Sequence, residues 1–265
     1  MSRKRKHTKY QVRLADILKL IGVLAIFGVL IVGNQQKKSA QIDKIHVRIQ
    51  PLPNQKFLIN AKDVYSIISQ ISSFDIERAR VRDFDFRTIE SRLLKDPRVK
   101  YAIVYVNKKN ELQIQIEQRN PIVRIDVSDD KNENNYYLDE DGFQIPIYKK
   151  RLIRVPVATG MIDPFEVDFK NKLNNSLAHV HDLSKSIYQD QFLSSLVEQI
   201  HVDLNGDLLI IPKIGRSKII IGDASEMNAK LDKLKDYYKE GIQIKGIETY
   251  AELDLSWEGQ IVGRK

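Results

Sequence analysis

His179 and His181 are the first residues whose type and spacing suggest chemistry, since imidazoles at short spacing commonly ligate metals. They fall in a stretch of helical periodicity, where residues two apart point to different sides and cannot share one ion. The sequence therefore predicts two solvated polar residues on a helix. Asp139-Glu140-Asp141-Gly142 carries the carboxylates of a calcium loop. With Gly142 at the sixth position of such a loop, the first and twelfth positions fall on Tyr137 and Tyr148, and neither is a carboxylate ligand. A hairpin turn is the expectation there. Lys213-Ile214-Gly215-Arg216-Ser217-Lys218 lacks the second glycine and the spacing of a phosphate loop. No G-x-S-x-G or H-E-x-x-H occurs. The chain has no cysteine, which excludes disulfides, thiol nucleophiles and thiolate metal sites. The remaining carboxylates are scattered, and sequence alone pairs none of them for acid–base work. The sequence thus predicts no enzyme, no cofactor and no metal.

The elements that would position any site begin with residues 14–33, LADILKLIGVLAIFGVLIVG. Residues 20–32 are uncharged and rich in Leu, Ile, Val and Phe, and Lys19 near one end can snorkel to the headgroups. A bilayer core needs roughly 17–25 mainly apolar helical residues, a length this segment meets. Arg3, Lys4, Arg5, Lys6, Lys9 and Arg13 precede it, whereas only Lys37 and Lys38 follow closely. The positive-inside bias holds residues 1–13 in the cytoplasm and sends the rest of the chain across. A cleaved secretory signal shares these features, but Gly33-Asn34-Gln35-Gln36 is a poor cleavage site. The sequence predicts an uncleaved, single-pass anchor in the cytoplasmic membrane, with residues 34–41 as a short polar link.

The formal net charge of +8 comes mostly from the six basic residues of this tail. The remainder, with 37 basic against 35 acidic residues, shows no nucleic-acid footprint. After the link, residues 42–49 alternate as a strand, and residues 57–59 read as a second short one. Asn60 is placed to cap a helix over 61–71 with Val64, Ile67, Ile68 and Ile71 on one face. A second helix over 87–95 would put Ile89, Leu93 and Leu94 inward and stop at Asp96-Pro97. Strands over 99–106 and 112–116 flank the polar turn 107–110. This order, strand, helix, helix, strand, strand, folds as a three-stranded sheet covered on one face by two helices.

Beyond Pro121 the pattern is mainly strands: 122–127, 136–138, 143–148, and 152–158, where Pro156 suggests an edge or bulge. A helix over 169–188 is expected to bury Leu173, Leu177, Val180 and Ile187. Residues 197–204 and 207–211 flank Asn205-Gly206, a hairpin signal. A strand at 218–221 precedes an Asp223/Glu226 capping box for a helix over 224–239 stopped by Gly241. Residues 249–257 alternate strictly, with Ala251, Leu253, Leu255 and Trp257 on one face.

This organisation resembles the FtsQ (DivIB) family of bacterial cell-division proteins. The residues that carry the likeness are the basic tail with its single anchor, LLKDPRVKYAIVYVNKKNELQIQIEQRNPIVRI from Leu93, YYLDEDGFQIP from Tyr136, and the later IIIGD and AELDLSW. The resemblance implies an α+β fold: a cytoplasmic tail (1–13), a transmembrane helix (14–33), a POTRA-like domain (42–120) and a mixed α/β domain dominated by antiparallel strands (121–265). It also implies a non-enzymatic divisome scaffold at the septum that helps control septal peptidoglycan synthesis. Its partners would be the small coiled-coil division proteins FtsB and FtsL. In the family the partner adds a strand to the β-domain edge, which falls here on Asp254, Leu255, Ser256, Trp257, Glu258 and Gly259.

The residues themselves point the same way, because a terminal strand without a successor offers unpaired backbone groups for β-augmentation. Trp257, the only tryptophan, is either an anchor for that partner or a cap on its own core. Ser256 stands where the family has a basic residue beside the aromatic. The alternative function is a POTRA-bearing chaperone-like module that captures unfolded exported or outer-membrane strands at the sheet edge of the first domain. An anchored cell-wall hydrolase is a third reading.

Overall fold

The computed structural model describes residues 39–70, 79–127, 134–148, 151–241, 246 and 249–265. The basic tail, the expected membrane helix at 14–33 and nearly all of the charged loop at 128–134 lie outside the described residues. Among the described residues no helix is long and apolar enough to cross a membrane. The fold is mixed α/β with strands dominant, and it divides into two compact units. The first is drawn from the described parts of Met1–Arg48, Ala61–Leu93 and Ala102–Ile116. The second comprises Ile49–Asn60, Leu94–Tyr101 and Glu117–Lys265.

The chain opens with β1 (Ile45–Gln50), α1 (Ala61–Ser69), α2 (Phe86–Leu93), β2 (Val99–Val106) and β3 (Leu112–Gln118), the element order expected from the sequence. Their sheet has the order β1-β3-β2. Period-2 alternation buries Leu112, Ile114 and Ile116 of β3, and helical spacing buries Val64, Ile68, Ile89 and Leu93. The β2–β3 turn is fixed by Asn107, whose Oδ1 accepts from the backbone N–H of Lys109 (2.9 Å) and Glu111 (3.0 Å). Both outer strands are partly capped from within this unit. Glu90 Oε1 accepts from the Val104 N–H of β2 (2.7 Å), and the Tyr65 hydroxyl donates to the Ile45 carbonyl of β1 (3.3 Å). Such bonds blunt an edge against strand addition.

The second unit contains β4 (Pro121–Ile125), β5 (Tyr136–Asp139), β6 (Gln144–Pro146), β7 (Val157–Gly160), α3 (Ser176–Gln189), α4 (Gln191–Leu196), β8 (Val197–Val202), β9 (Leu208–Pro212), β10 (Lys218–Gly222), α5 (Met227–Asp236), β11 (Glu252–Asp254) and β12 (Val262–Arg264). One nine-stranded sheet runs β12-β11-β10-β9-β8-β7-β4-β5-β6. Antiparallel pairs dominate, but β7 is parallel to both β4 and β8, and β11 is parallel to β10. At the centre Gly160 is required: at φ +96° its place admits no side chain, since a Cβ would lie 2.0 Å from the Val202 carbonyl oxygen.

Helix α3 covers the sheet against β4 and β8. It is started by Asn175, whose Oδ1 accepts from the Ala178 N–H (3.0 Å), and it buries Leu177, Val180, Leu183 and Ile187. A smaller cluster of Leu52, Leu58, Tyr137 and Ile145 packs with Ile147, Ile153 and Val155. It is tied by Gln118, whose Oε1 accepts from the N–H of Leu58 (2.6 Å) and Ile59 (3.1 Å) while its Nε2 donates to the Gln50 carbonyl (2.7 Å).

Several expectations are corrected. Residues 57–59 are not a strand; Leu58 and Ile59 are buried with their amides on Gln118. Leu94 and Leu173 are exposed, the latter at 92%, because α2 ends at Leu93 and α3 begins only at Ser176. Strand β7 is interior rather than an edge, and Pro156 precedes it, giving its carbonyl to Arg124 N–H (2.9 Å).

The Asn205-Gly206 hairpin forms, but as a longer loop closed by Asp203 N–H to the Asp207 carbonyl (3.0 Å), with only Gly206 at positive φ (+87°). The Asp223/Glu226 capping box is absent. Glu226 takes a left-handed backbone with no side-chain cap, and Asp223 Oδ1 binds Lys230 Nζ (2.7 Å) and the Ser225 hydroxyl (2.6 Å) instead. Finally, the expected strand at 249–257 is two short pieces of structure, β11 and the loop that leads to β12.

Candidate partner-binding edge

Among the described residues strand β12 ends the large sheet and pairs with β11 alone, through Glu252↔Arg264, Leu253↔Gly263 and Asp254↔Val262. Residues 254–259 are therefore the end of β11 and the connecting loop, and the edge itself is Val262–Arg264. Two buried leucines fix the start of the loop, Leu253 in β11 and Leu255 just after it, and the Leu255 N–H donates to the Ile220 carbonyl (2.9 Å).

Between these leucines Asp254 is only 6% exposed and acts as the hub. Its Oδ1 accepts from the Ser256 N–H (3.0 Å) and hydroxyl (2.6 Å), and its Oδ2 from Trp257 Nε1 (3.2 Å) and Arg264 Nη2 (3.4 Å). Burial pushes this carboxyl up, but the Ser256 hydroxyl and amide, the Trp257 indole and the Arg264 charge together hold it below the usual carboxylate range. A buried charge of this kind is tolerable because each oxygen is saturated by donors.

Asp254, Ser256 and Trp257 are thus brought together, whereas Glu258 and Gly259 stand exposed at the tip, Gly259 at φ +67°. Trp257 does not cap the core: 52% of it is exposed, although Leu253 and Leu255 in the same phase are buried. Strand alternation ends at Leu255, so the phase argument does not reach the ring. The Ser256 N–H, read from sequence as a strand donor, turns inward to Asp254, and the Ser256 side chain lies over Gly222.

Two cationic residues that sequence reasoning missed complete the site. Arg264 reaches across the register to Glu252 (3.5 Å) as well as Asp254. Lys233 of α5 donates to the carbonyls of Leu255 (2.9 Å), Trp257 (2.6 Å) and Gln260 (3.5 Å). The only signal for β12 was a short apolar pair, Ile261-Val262, after a glycine. For Lys233 no local signal existed, because its contacts are far away in sequence.

The other candidates resolve as structural. His181 is 2% exposed, not solvated; its Nε2 meets the Asp139 carbonyl (3.0 Å) and its ring packs edge-on against Phe169. The acidic 139–142 segment is the β5–β6 turn, in which Asp139 Oδ1 accepts from the N–H of Asp141 and Phe143. Among the described residues no three His, Asp or Glu side chains converge as a metal site.

A family model described as FtsQ/DivIB, C-terminal related, matches residues 120–264, a span that includes the whole of this edge. No curated protein matches the chain.

Proposed function

The chain belongs to the FtsQ/DivIB family of bacterial cell-division proteins, and from that membership we propose a non-enzymatic, membrane-anchored scaffold of the division complex. The reading has a cytoplasmic tail at 1–13, an anchor at 14–33, a POTRA-like domain over 42–120 and a β domain over 121–265. The scaffold gathers small coiled-coil division proteins of the FtsB and FtsL kind at the septum and helps control septal peptidoglycan synthesis. Its contact surface comprises the exposed Ser256, Trp257, Glu258 and Gly259 together with β12, on a base formed by the buried Asp254 and Leu255.

The observation that carries this reading is the half-exposed Trp257 held beside a sheet edge that, among the described residues, pairs on one side only. An incoming strand finds backbone groups along β12 and an aromatic anchor next to them, the two ingredients of strand addition. Attachment to a membrane raises the effective concentration of partners confined there, so a three-residue edge can suffice. Strand capture by the small sheet is the weaker reading, because Glu90 and Tyr65 already occupy groups on its outer strands.

The test is co-purification of FtsB/FtsL-like proteins with the full chain and with Gly263→Pro, which disrupts β12. Capture by the unaltered chain and loss in the variant is the expected result. Equal capture by both would refute the edge.

A further inference from the structure

We propose that Lys233 is the positioning residue that shapes the Trp257 loop for its partner, an inference that rests on the reading of this edge given above. Residues 255–261 have no regular ladder of their own between β11 and β12, yet they present the exposed ring and aim the outer strand. Asp254 ties the first part of this loop through Ser256 and Trp257, and one ammonium group ties that part to the far end. Lys233 Nζ is bonded to the carbonyls of Leu255, Trp257 and Gln260, three acceptors drawn from both ends of the loop. An ammonium has three donors and no acceptor, so this arrangement uses its full capacity.

The other cations on α5 behave differently. Lys230 pairs with Asp223 and Lys235 with Asp190 and Asp232, whereas among the described residues Lys233 has no carboxylate within ion-pair distance. Its charge is directed wholly at backbone oxygens. Charge-assisted bonds of this kind are the stronger class. Without the ammonium, three carbonyl dipoles would converge with nothing between them. The loop would then spread over conformers, of which only a fraction present Trp257 and β12 together. Apparent affinity falls in proportion to that fraction.

The chain's single tryptophan lies inside the loop, so its fluorescence reads the loop directly without any partner. The experiment compares the full chain with Lys233→Met, which keeps the stem and loses the donors, and Lys233→Arg, which keeps charge and donors. Lys233→Gln serves as a second neutral variant should circular dichroism show that Lys233→Met does not fold. Acrylamide quenching and anisotropy of Trp257 are measured in the partner-free protein, and affinity for the co-purified FtsB/FtsL-like pair is measured alongside.

The neutral variant is expected to raise quenching, lower anisotropy and weaken binding about tenfold, as a competent fraction near one tenth requires, with Lys233→Arg retaining most of both. Unchanged quenching with unchanged affinity overturns the proposal. Unchanged quenching with weakened binding also overturns it, because Lys233 would then touch the partner itself. Increased quenching with unchanged affinity leaves Lys233 shaping the loop but sinks the reading of the loop as the docking site. A residue important only for stability would shift the thermal midpoint without moving Trp257 quenching in the native state.

Discussion

Trp257 Nε1 donates to the carboxylate of Asp254 across 3.2 Å, which fixes one edge of the ring to a buried charge and leaves the other edge and much of its face to solvent. This geometry separates folding from docking at a single residue. Trp257→Ala removes one of four donors from Asp254, which keeps Ser256 and Arg264, and it deletes the covered half of the side chain. Thermal unfolding should show a loss on the order of 1–3 kcal/mol, the ordinary range of single substitutions, with the domain still folded. Binding of the FtsB/FtsL-like pair, read by calorimetry or retention on the purified chain, should fall by roughly thirtyfold, since central aromatic anchors are worth about 2 kcal/mol or more.

Gly263 of β12 faces the ring of Tyr250 so closely that a Cβ would lie 2.6 Å from it. Gly263→Ala must displace the ring or the strand, and overpacking of this kind costs about 1–3 kcal/mol. Hydrogen exchange should show lost protection confined to residues 262–264 and their β11 partners, with β7, β8 and β9 unchanged. Uniform loss across the sheet would contradict the independence of this edge.

Acid should release the loop only at low pH. The Asp254 carboxyl lies below its ordinary 3.8 because Ser256, Trp257 and Arg264 outweigh its burial. A depressed carboxylate contributes stability that is complete above the unfolded value and is lost as pH falls through the folded one. Trp257 emission should therefore stay constant from neutral pH down to the ordinary carboxylate range and change below it. In Asp254→Asn the acid step should vanish, and the emission at neutral pH should already resemble the released form, because the amide cannot accept from every donor that the carboxylate serves.

Gln118 is a buried side chain that answers two backbone donors and one acceptor at once. Gln118→Ala leaves the Leu58 and Ile59 amides without acceptors, at about 1–3 kcal/mol each. Chemical denaturation should report a total loss on the order of 3 kcal/mol. Gln118→Glu should fall between the two, since a carboxylate still accepts from the amides but cannot donate to Gln50.

The parts legible in the sequence were those governed by local period. The β2–β3 hairpin was bounded almost to the residue because alternation and the Asn107 turn agree, and Leu177, Val180 and Ile187 of α3 were read correctly from helical spacing. The insertion of β7 between β4 and β8 was not legible, because a parallel neighbour is chosen by packing across distant segments and leaves no turn signal.

Leu173 was misread because an apolar residue in phase with a helix was counted inward although the helix starts only after it, and of the two readings left open for Trp257 the core cap fails because the strand ends before it. His181 looked wet because histidine usually is, but its Nε2 meets the Asp139 carbonyl and its ring packs on Phe169 indoors, with Nδ1 buried and, among the described residues, not hydrogen-bonded. At the candidate site residues 254–259 came from the family resemblance as an edge strand, and the structure makes them the end of β11 and a loop. The strand that follows and the lysine that holds the loop were not legible, since three residues are too few to show a period and a long-range cap shows none.

The place of β12 at the outer end of the sheet has a last consequence. Strands β8 to β12 follow one another outward in chain order, so the outermost is secured by a single three-residue neighbour and opens first when the domain breathes. On the proposed reading a bound partner would close that end, and mass action would make the closed state more stable as partner accumulates. Proteases begin at frayed ends, so copies without a partner would be turned over sooner than occupied ones. If this edge is the docking site, the abundance of the chain would follow the supply of its partner, a stoichiometry control that needs no dedicated regulator.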